Sequence, residues 1–187
     1  MIEVEAKIKI SNKQELDKFR SLAGKLGKYI GKINKIDDYY TLQSLKEYPK
    51  KSLRIRRSGR WHIVNFKQRI SYVDGIYAKN ETEFQVSDIS GFLRLIKDFG
   101  FKYWLRKEKK TELYQIRPNL HIEINNVKHL GWFVEVEYLA RPHEIRRARS
   151  EVYALVRKLG AKKREIIKTG YTKILWDKGE MGSEKKK

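Results

Sequence analysis

The sequence predicts an α+β fold in which largely antiparallel strands close into a barrel and helices pack on its outside. Three features carry this reading. A Glu-x-Glu strand runs three times into a helix, then a glycine, then a basic strand; the pairs are Glu3/Glu5, Glu81/Glu83 and Glu135/Glu137, and the glycines are Gly27, Gly100 and Gly160. Strand candidates outnumber helices and come in mixed order, as in antiparallel α+β folds, and about eight or nine strands suffice to close a barrel. Each Glu pair also alternates with apolar residues (Ile2, Val4 and Ala6; Phe84 and Val86; Val134 and Val136). A strand has period two, so both carboxylates of a pair share one face of the sheet.

The elements follow in order. Residues 1–10 alternate apolar and charged, which predicts a strand. Ser11 is placed to cap the first helix with Gln14 as its capping-box partner, and Leu16, Phe19, Leu22 and Leu26 recur at helical spacing up to Gly27. Segments 36–42, 52–58 and 61–69 read as strands, and Asp74-Gly75 is a turn signal. Residues 79–86 alternate again. Ser87 or Asp88 caps a second helix whose stripe is Phe92, Leu95, Ile96 and Phe99, ending at Gly100. Strands are predicted at 102–109, 111–117 and 120–126, with a hairpin turn at Arg117-Pro118 and Asn119. Strand 132–138 precedes the break at Arg141-Pro142, and a helix bearing Ile145, Ala148, Val152, Leu155 and Leu159 ends at Gly160. No linker divides the chain, so 1–176 reads as a single domain and 177–187 as a disordered basic tail.

Composition narrows the function. The 187 residues are 40% hydrophobic, enough for a core, and contain no cysteine, which excludes disulfides, thiolate metal sites and a Cys nucleophile. The N-terminus lacks a leader pattern and no apolar run approaches the length of a membrane span, so a soluble cytoplasmic protein is expected. A net charge of +20 fits an anionic ligand or nucleic acid, and equally a lysine-rich solvated surface. There is no Gly-x-x-x-x-Gly-Lys loop and no Gly-x-Ser-x-Gly elbow. His62, His121, His129 and His143 lack paired metal spacing and read as non-catalytic; Trp61, Trp104, Trp132 and Trp176 read as packing residues.

Other strands repeat the alternation of the Glu pairs. Arg54 and Arg56 share a face opposite Leu53 and Ile55, Lys107 shares one with Lys109, Lys7 and Lys9 lie with Glu3 and Glu5, and Lys67 sits mid-strand. One such strand alone fits an antiparallel sheet with a wet face. Turned outward, these faces would leave apolar residues to fill the barrel. Turned inward, they put the apolar wall under the helices and the charges in the lumen, where they must compensate one another or bind ions. Carboxylates there would take Mg²⁺ or Mn²⁺ through oxygen, and Arg and Lys would take phosphoryl oxygens. The ligand expected of such a lumen carries several linked phosphates.

This ordered set resembles the CYTH superfamily, the triphosphate tunnel metalloenzymes. Its E-x-E-x-K motif reads Glu3-Val4-Glu5-Ala6-Lys7. Tyr39-Tyr40, Leu53-Arg54-Ile55-Arg56, Lys67, Glu81-Thr82-Glu83, Arg106-Lys107-Glu108-Lys109, Leu130-Gly131-Trp132-Phe133-Val134-Glu135-Val136-Glu137 and Gly170-Tyr171-Thr172 follow in order. The match spans residues 1–175. The resemblance implies an eight-stranded antiparallel tunnel that binds a triphosphate with a divalent metal. It implies Glu3, Glu5, Glu135 and Glu137 as metal-side carboxylates, and Lys7, Arg54, Arg56, Lys67, Lys107 and Lys109 as triphosphate contacts. Glu81 and Glu83 would orient basic residues or help with a second metal. Glu5 and Lys7 would prepare the attacking water for in-line hydrolysis of a terminal phosphoanhydride. Two positions depart from the family. Asn125 stands where Asp is common, with Glu123 on the same strand face able to compensate, and Lys109 stands for the second arginine of the basic strand.

Several functions fit this frame. A triphosphatase acting on inorganic triphosphate is preferred, because a charge-lined tunnel needs only phosphates. Relatives on the same scaffold include class IV adenylyl cyclases, which need adenine positioning, and thiamine triphosphatases, which need a site for the organic end. A non-enzymatic polyphosphate or nucleic-acid binder draws support from the net charge, but the Glu-x-Glu strands would repel a phosphate backbone. The expected partner is a triphosphate-containing small molecule, with no membrane, and the chain is expected as a monomer or homodimer.

Overall fold

The computed structural model describes residues 1–58 and 61–180. Eight strands form a closed barrel in the order β1-β5-β4-β3-β2-β6-β7-β8. The strands are β1 (Ile2–Lys9), β2 (Lys28–Thr41), β3 (Leu53–Ser58), β4 (Trp61–Val73), β5 (Ile76–Val86), β6 (Lys102–Arg117), β7 (Leu120–Val127) and β8 (Gly131–Ala140). The α-helices of the described residues are α1 (Lys13–Leu26), α2 (Ile89–Asp98), α3 (Ile145–Lys158) and α4 (Tyr171–Asp177). None is long and apolar enough to cross a membrane. The chain divides into two compact units: Met1–Asn34, Arg69–Asn80 and Lys109–Lys168 form the first, and Lys35–Gln68, Glu81–Glu108 and Thr169–Lys187 the second.

In the first unit, β1 is buried on both faces up to Ile8. Its apolar face, Ile2, Val4, Ala6 and Ile8, joins Leu16, Phe19 and Ala23 of α1 and Ala148, Val152 and Leu155 of α3 in one core with Ile122, Ile124, Val134 and Val136. The helices therefore cover the apolar side of β1, β7 and β8, and the charged side of these strands faces the barrel interior. In the second unit the same rule holds. Ile55 and Val64 pack with Ile96 of α2, joined by Leu53, Val86 and Phe92, which leaves Arg54 and Asn65 on the inward face.

Several local features differ from the sequence expectation. Asn12, not Ser11, caps α1: its side chain accepts from the Glu15 amide at 2.9 Å while the Glu15 carboxylate accepts from the Ser11 amide at 2.8 Å. Gly27 is extended rather than left-handed. It is glycine because the chain passes close by; a Cβ there would lie 2.6 Å from Ile116 Cδ1 and 2.8 Å from Gln115 O. Segments 102–109 and 111–117 are one strand, β6, since Lys110-Thr111 contains no breaker. Strand β2 begins at Lys28, well before 36. The Asp74-Gly75 turn is present, with φ of 55° and 87°, the positive values that a two-residue hairpin turn requires. Helix α4 has no side-chain cap to announce it. Of the expected tail, Asp177 closes α4 and the Glu180 amide reaches back to Leu175 O at 3.0 Å; residues 181–187 lie outside the described residues.

Candidate active site

Strand register assembles the first unit's charges. On the inward face Glu5 lies opposite Glu137 and Lys7 opposite Glu135 across β1–β8. Glu123 lies opposite Glu135, and His121 opposite Glu137, across β7–β8. Glu3 pairs with Lys79 of β5, and Thr111 of β6 with Asn125. Glu3, Glu5, Lys7, Lys109, Glu123, Asn125 and Glu135 are all buried, whereas Glu137 is half-buried. Like charges opposite one another destabilise a sheet, and lysines offset that here. Lys7 Nζ is 2.6 Å from Glu5 Oε1 and 3.8 Å from Glu135 Oε1. Lys109 Nζ donates to Glu123 Oε2 at 2.8 Å and Glu135 Oε2 at 3.2 Å. Lys79 bonds Glu5 and lies 3.6 Å from Glu3 Oε1.

Asn125 acts as a connector in this network. It accepts from Thr111 Oγ1 at 2.6 Å and donates to Glu123 Oε2 at 3.3 Å. The amide thus makes a bond to Glu123 that an aspartate could not. Among the described residues no group of three or more His, Cys, Asp or Glu side chains is arranged around a common metal position. The donor chemistry nonetheless fits a hard divalent cation. Glu3, Glu5, Glu123, Glu135 and Glu137 offer oxygen, the ligand type Mg²⁺ and Mn²⁺ prefer.

The second unit carries the other predicted cations. Asp37 lies opposite Arg56 and Tyr39 opposite Arg54 across β2–β3, and Arg54 opposite Asn65 across β3–β4. Asp37 is fully buried. Its Oδ1 accepts from Arg56 Nε at 2.6 Å and its Oδ2 from Arg56 Nη2 at 2.9 Å, and Lys107 Nζ also lies 2.9 Å from Oδ2. Burial alone would raise this carboxyl's pKa. The charge of Lys107, the hydrogen bond and charge of Arg56 and the charge of Arg54 overcome burial and hold it well below the usual carboxylate range. Lys107 also donates to Tyr39 Oη at 2.9 Å. Arg54 Nη2 stands 3.8 Å from Glu83 Oε2. Asn65 donates to Glu81 and Glu83, each at 3.2 Å, and Lys67 pairs with Glu81.

All the predicted site residues thus lie on these two sets of strands. Sequence reasoning passed over Asp37, Asn65 and Lys79, and read His121 as non-catalytic. Period two could have found Lys79, which shares a face with Glu81 and Glu83, and Asp37, which shares one with Tyr39. Arg106, quoted with the basic strand, instead makes a bidentate pair with Asp38 at 2.7 and 2.9 Å on the more exposed side. Trp104 packs as expected, among Tyr39, Tyr48 and Trp176 with ring centroids 5.7–5.9 Å away.

A closed antiparallel barrel with buried carboxylates and cations on its inward strand faces is the architecture of a triphosphate tunnel. The CYTH domain model matches residues 1–171, and the chain belongs to the CYTH family. No curated protein matches the sequence significantly. Among solved structures, PH1012 protein from Pyrococcus horikoshii OT3 is similar at 24% identity and TM-score 0.75, covering 91% of this chain and 98% of that one. The Hippeastrum protein HpAC1, described as revealing a dominant triphosphatase activity, is similar at 13% identity and TM-score 0.59 over 97% and 98% of the two chains. The Mimivirus capping enzyme triphosphatase is similar at 13% identity and TM-score 0.55 over 85% and 89%. At these identities the likeness is one of fold.

Proposed function

We propose that this protein is a divalent-metal-dependent triphosphatase that hydrolyses the terminal phosphoanhydride of inorganic triphosphate. The observation that carries the reading is the buried alternation of cations and carboxylates on inward strand faces, with Lys7 between Glu5 and Glu135. A fold keeps so many buried charges at a cost in desolvation, which an anionic substrate and its cation would repay. The contacts offered are charges, so a chain of phosphates with no organic group satisfies them.

Glu3, Glu5, Glu135 and Glu137 would hold the divalent cation, whose charge offsets that of the triphosphate and supplies Lewis acidity to phosphoryl oxygens. Lys7 and Lys109 in the first unit, and Arg54, Arg56, Lys67 and Lys107 in the second, would each supply positive charge to phosphoryl oxygens and stabilise the charge that develops on them. Glu5 orients the attacking water and accepts its proton. The water oxygen bonds to the terminal phosphorus as the bond to the bridging oxygen breaks, and diphosphate leaves. Lys7, ion-paired to Glu5, holds that carboxylate in place.

The test supplies triphosphate, ATP and thiamine triphosphate in parallel with Mg²⁺ or Mn²⁺ and identifies products. Phosphate release from triphosphate that is lost in Glu5→Gln supports the reading. Cyclic AMP from ATP, or turnover of thiamine triphosphate alone, overturns the substrate assignment. Binding without turnover that survives Glu5→Gln overturns the enzyme.

A further inference from the structure

Arg54 and Arg56 share the inward face of β3, and the family resemblance gives them the same role. Their surroundings differ. Arg56 commits Nε and Nη2 to the two oxygens of Asp37. Lys107 is fixed by the same carboxylate and by Tyr39. Arg54 is buried, at 8% exposure, yet its Nε has no hydrogen-bond partner among the described residues. The Glu83 oxygen it faces is 3.8 Å from Nη2, beyond hydrogen-bond distance. Asn65, opposite Arg54 in register, has its amide nitrogen engaged by Glu81 and Glu83, and its Oδ1 is a second buried polar atom with no hydrogen-bond partner among the described residues. A buried guanidinium edge is ordinarily hydrogen-bonded, and one left open is placed to take an acceptor from a ligand.

We infer that Asp37 is a positioning residue that assigns different work to the two arginines: it ties down the Nε/Nη2 edge of Arg56 together with Lys107, leaving Arg54 as the guanidinium that grips a phosphoryl group. The inference rests on the triphosphate reading above. The Nε/Nη2 edge of arginine matches two phosphoryl oxygens bidentately, which a lysine cannot reproduce. Arg56 and Lys107 then contribute fixed positive charge, with Asp37 setting where that charge sits.

The test is calorimetric titration of inorganic triphosphate into the full chain in EDTA, alongside phosphate release with Mg²⁺. Arg54→Lys keeps the charge and removes the fork; its affinity falls by about tenfold or more, the scale of one strong charge-assisted bond, while the thermal midpoint changes little. Arg56→Lys breaks the pair with Asp37, lowers the thermal midpoint and weakens triphosphate binding less than Arg54→Lys does. Asp37→Asn releases the Arg56 edge, so the affinity penalty of Arg54→Lys shrinks in that background, a change a purely structural Asp37 would not produce. Where Asp37→Asn does not fold, the comparison of the two arginine variants decides alone. Equal losses from both, a larger loss from Arg56→Lys, or no triphosphate binding by the parent chain overturns the inference. Arg54-dependent binding without phosphate release supports it and overturns the triphosphatase reading instead.

Discussion

Glu5 and Glu137 stand directly opposite each other across the β1–β8 boundary. Two carboxylates in that position repel, by roughly 0.2–1 kcal/mol in an ordinary sheet. Lys7 and Lys79 both attend Glu5, and His121 stands opposite Glu137 from β7. Glu137→Gln takes away one oxygen ligand and is therefore expected to weaken Mn²⁺ binding and to shrink the rise in thermal midpoint that Mn²⁺ gives. Mn²⁺ titration and thermal denaturation of parent and variant, each with and without the metal, check the expectation. An unchanged Mn²⁺ affinity would place the cation away from Glu137.

Asp37 gives the protein an acid-sensitive element. Its carboxyl pKa is lowered in the folded state, where burial is outweighed by Lys107 and Arg56. A group depressed in this way contributes stability above the unfolded carboxylate pKa of about 4, and that stability is lost as pH falls toward the folded value. Replacing it leaves the buried cations uncompensated. Asp37→Asn is expected to cost about 3–5 kcal/mol at pH 7. The parent and variant stabilities converge as pH drops below about 4. Urea denaturation between pH 7 and pH 3 measures the difference, and a constant gap across the range would contradict the assignment.

Two glycines close together in sequence predict opposite outcomes. Gly24 lies inside α1, and a Cβ added there meets nothing within 4 Å. Gly24→Ala is expected to stabilise by about 0.5–1 kcal/mol through helix propensity. Gly27→Ala places a Cβ 2.8 Å from the carbonyl oxygen of Gln115, a backbone atom that yields only if the strand shifts. It is expected to destabilise by about 1–3 kcal/mol. Urea midpoints of the two variants test the pair.

The charges of the site were legible because they lie on strands, where period two shows which residues share a face. The Glu-x-Glu pairs, Arg54 with Arg56 and Lys107 with Lys109 all follow from that rule. What each charge touches was not legible. Asp37 meets Arg56 from another strand, and Lys109 reaches Glu123 and Glu135; such pairs depend on register, and a slip of one residue would exchange the faces. The N-terminal cap of α1 moved by one residue because Ser11 and Asn12 are both competent caps, and Glu15 is spaced to answer Asn12. Helix α4 is a seven-residue helix without a side-chain cap, and its place is decided by packing of Tyr171 and Leu175, which are buried.

Asn125 is the departure from the family whose consequence can be measured directly. Its side chain is wholly buried, accepting from Thr111 and donating to Glu123. Aspartate at this position would keep the bond from Thr111, lose the bond to Glu123 and set a second carboxylate against it, with Lys109 left to offset both. Asn125→Asp is therefore expected to destabilise the chain in EDTA by about 1–3 kcal/mol, the scale for an unsatisfied buried polar group. A divalent cation would relieve the repulsion, so the same variant is expected to bind Mn²⁺ more tightly and to recover its thermal midpoint as Mn²⁺ is added. Asn125→Ala separates the two effects, since it loses both hydrogen bonds without adding charge and gains from the metal only what the parent gains. Denaturation with and without Mn²⁺ compares the three chains. A rise with Mn²⁺ no larger for Asn125→Asp than for the parent would place the cation away from Glu123, at the Glu3, Glu5, Glu135 and Glu137 carboxylates.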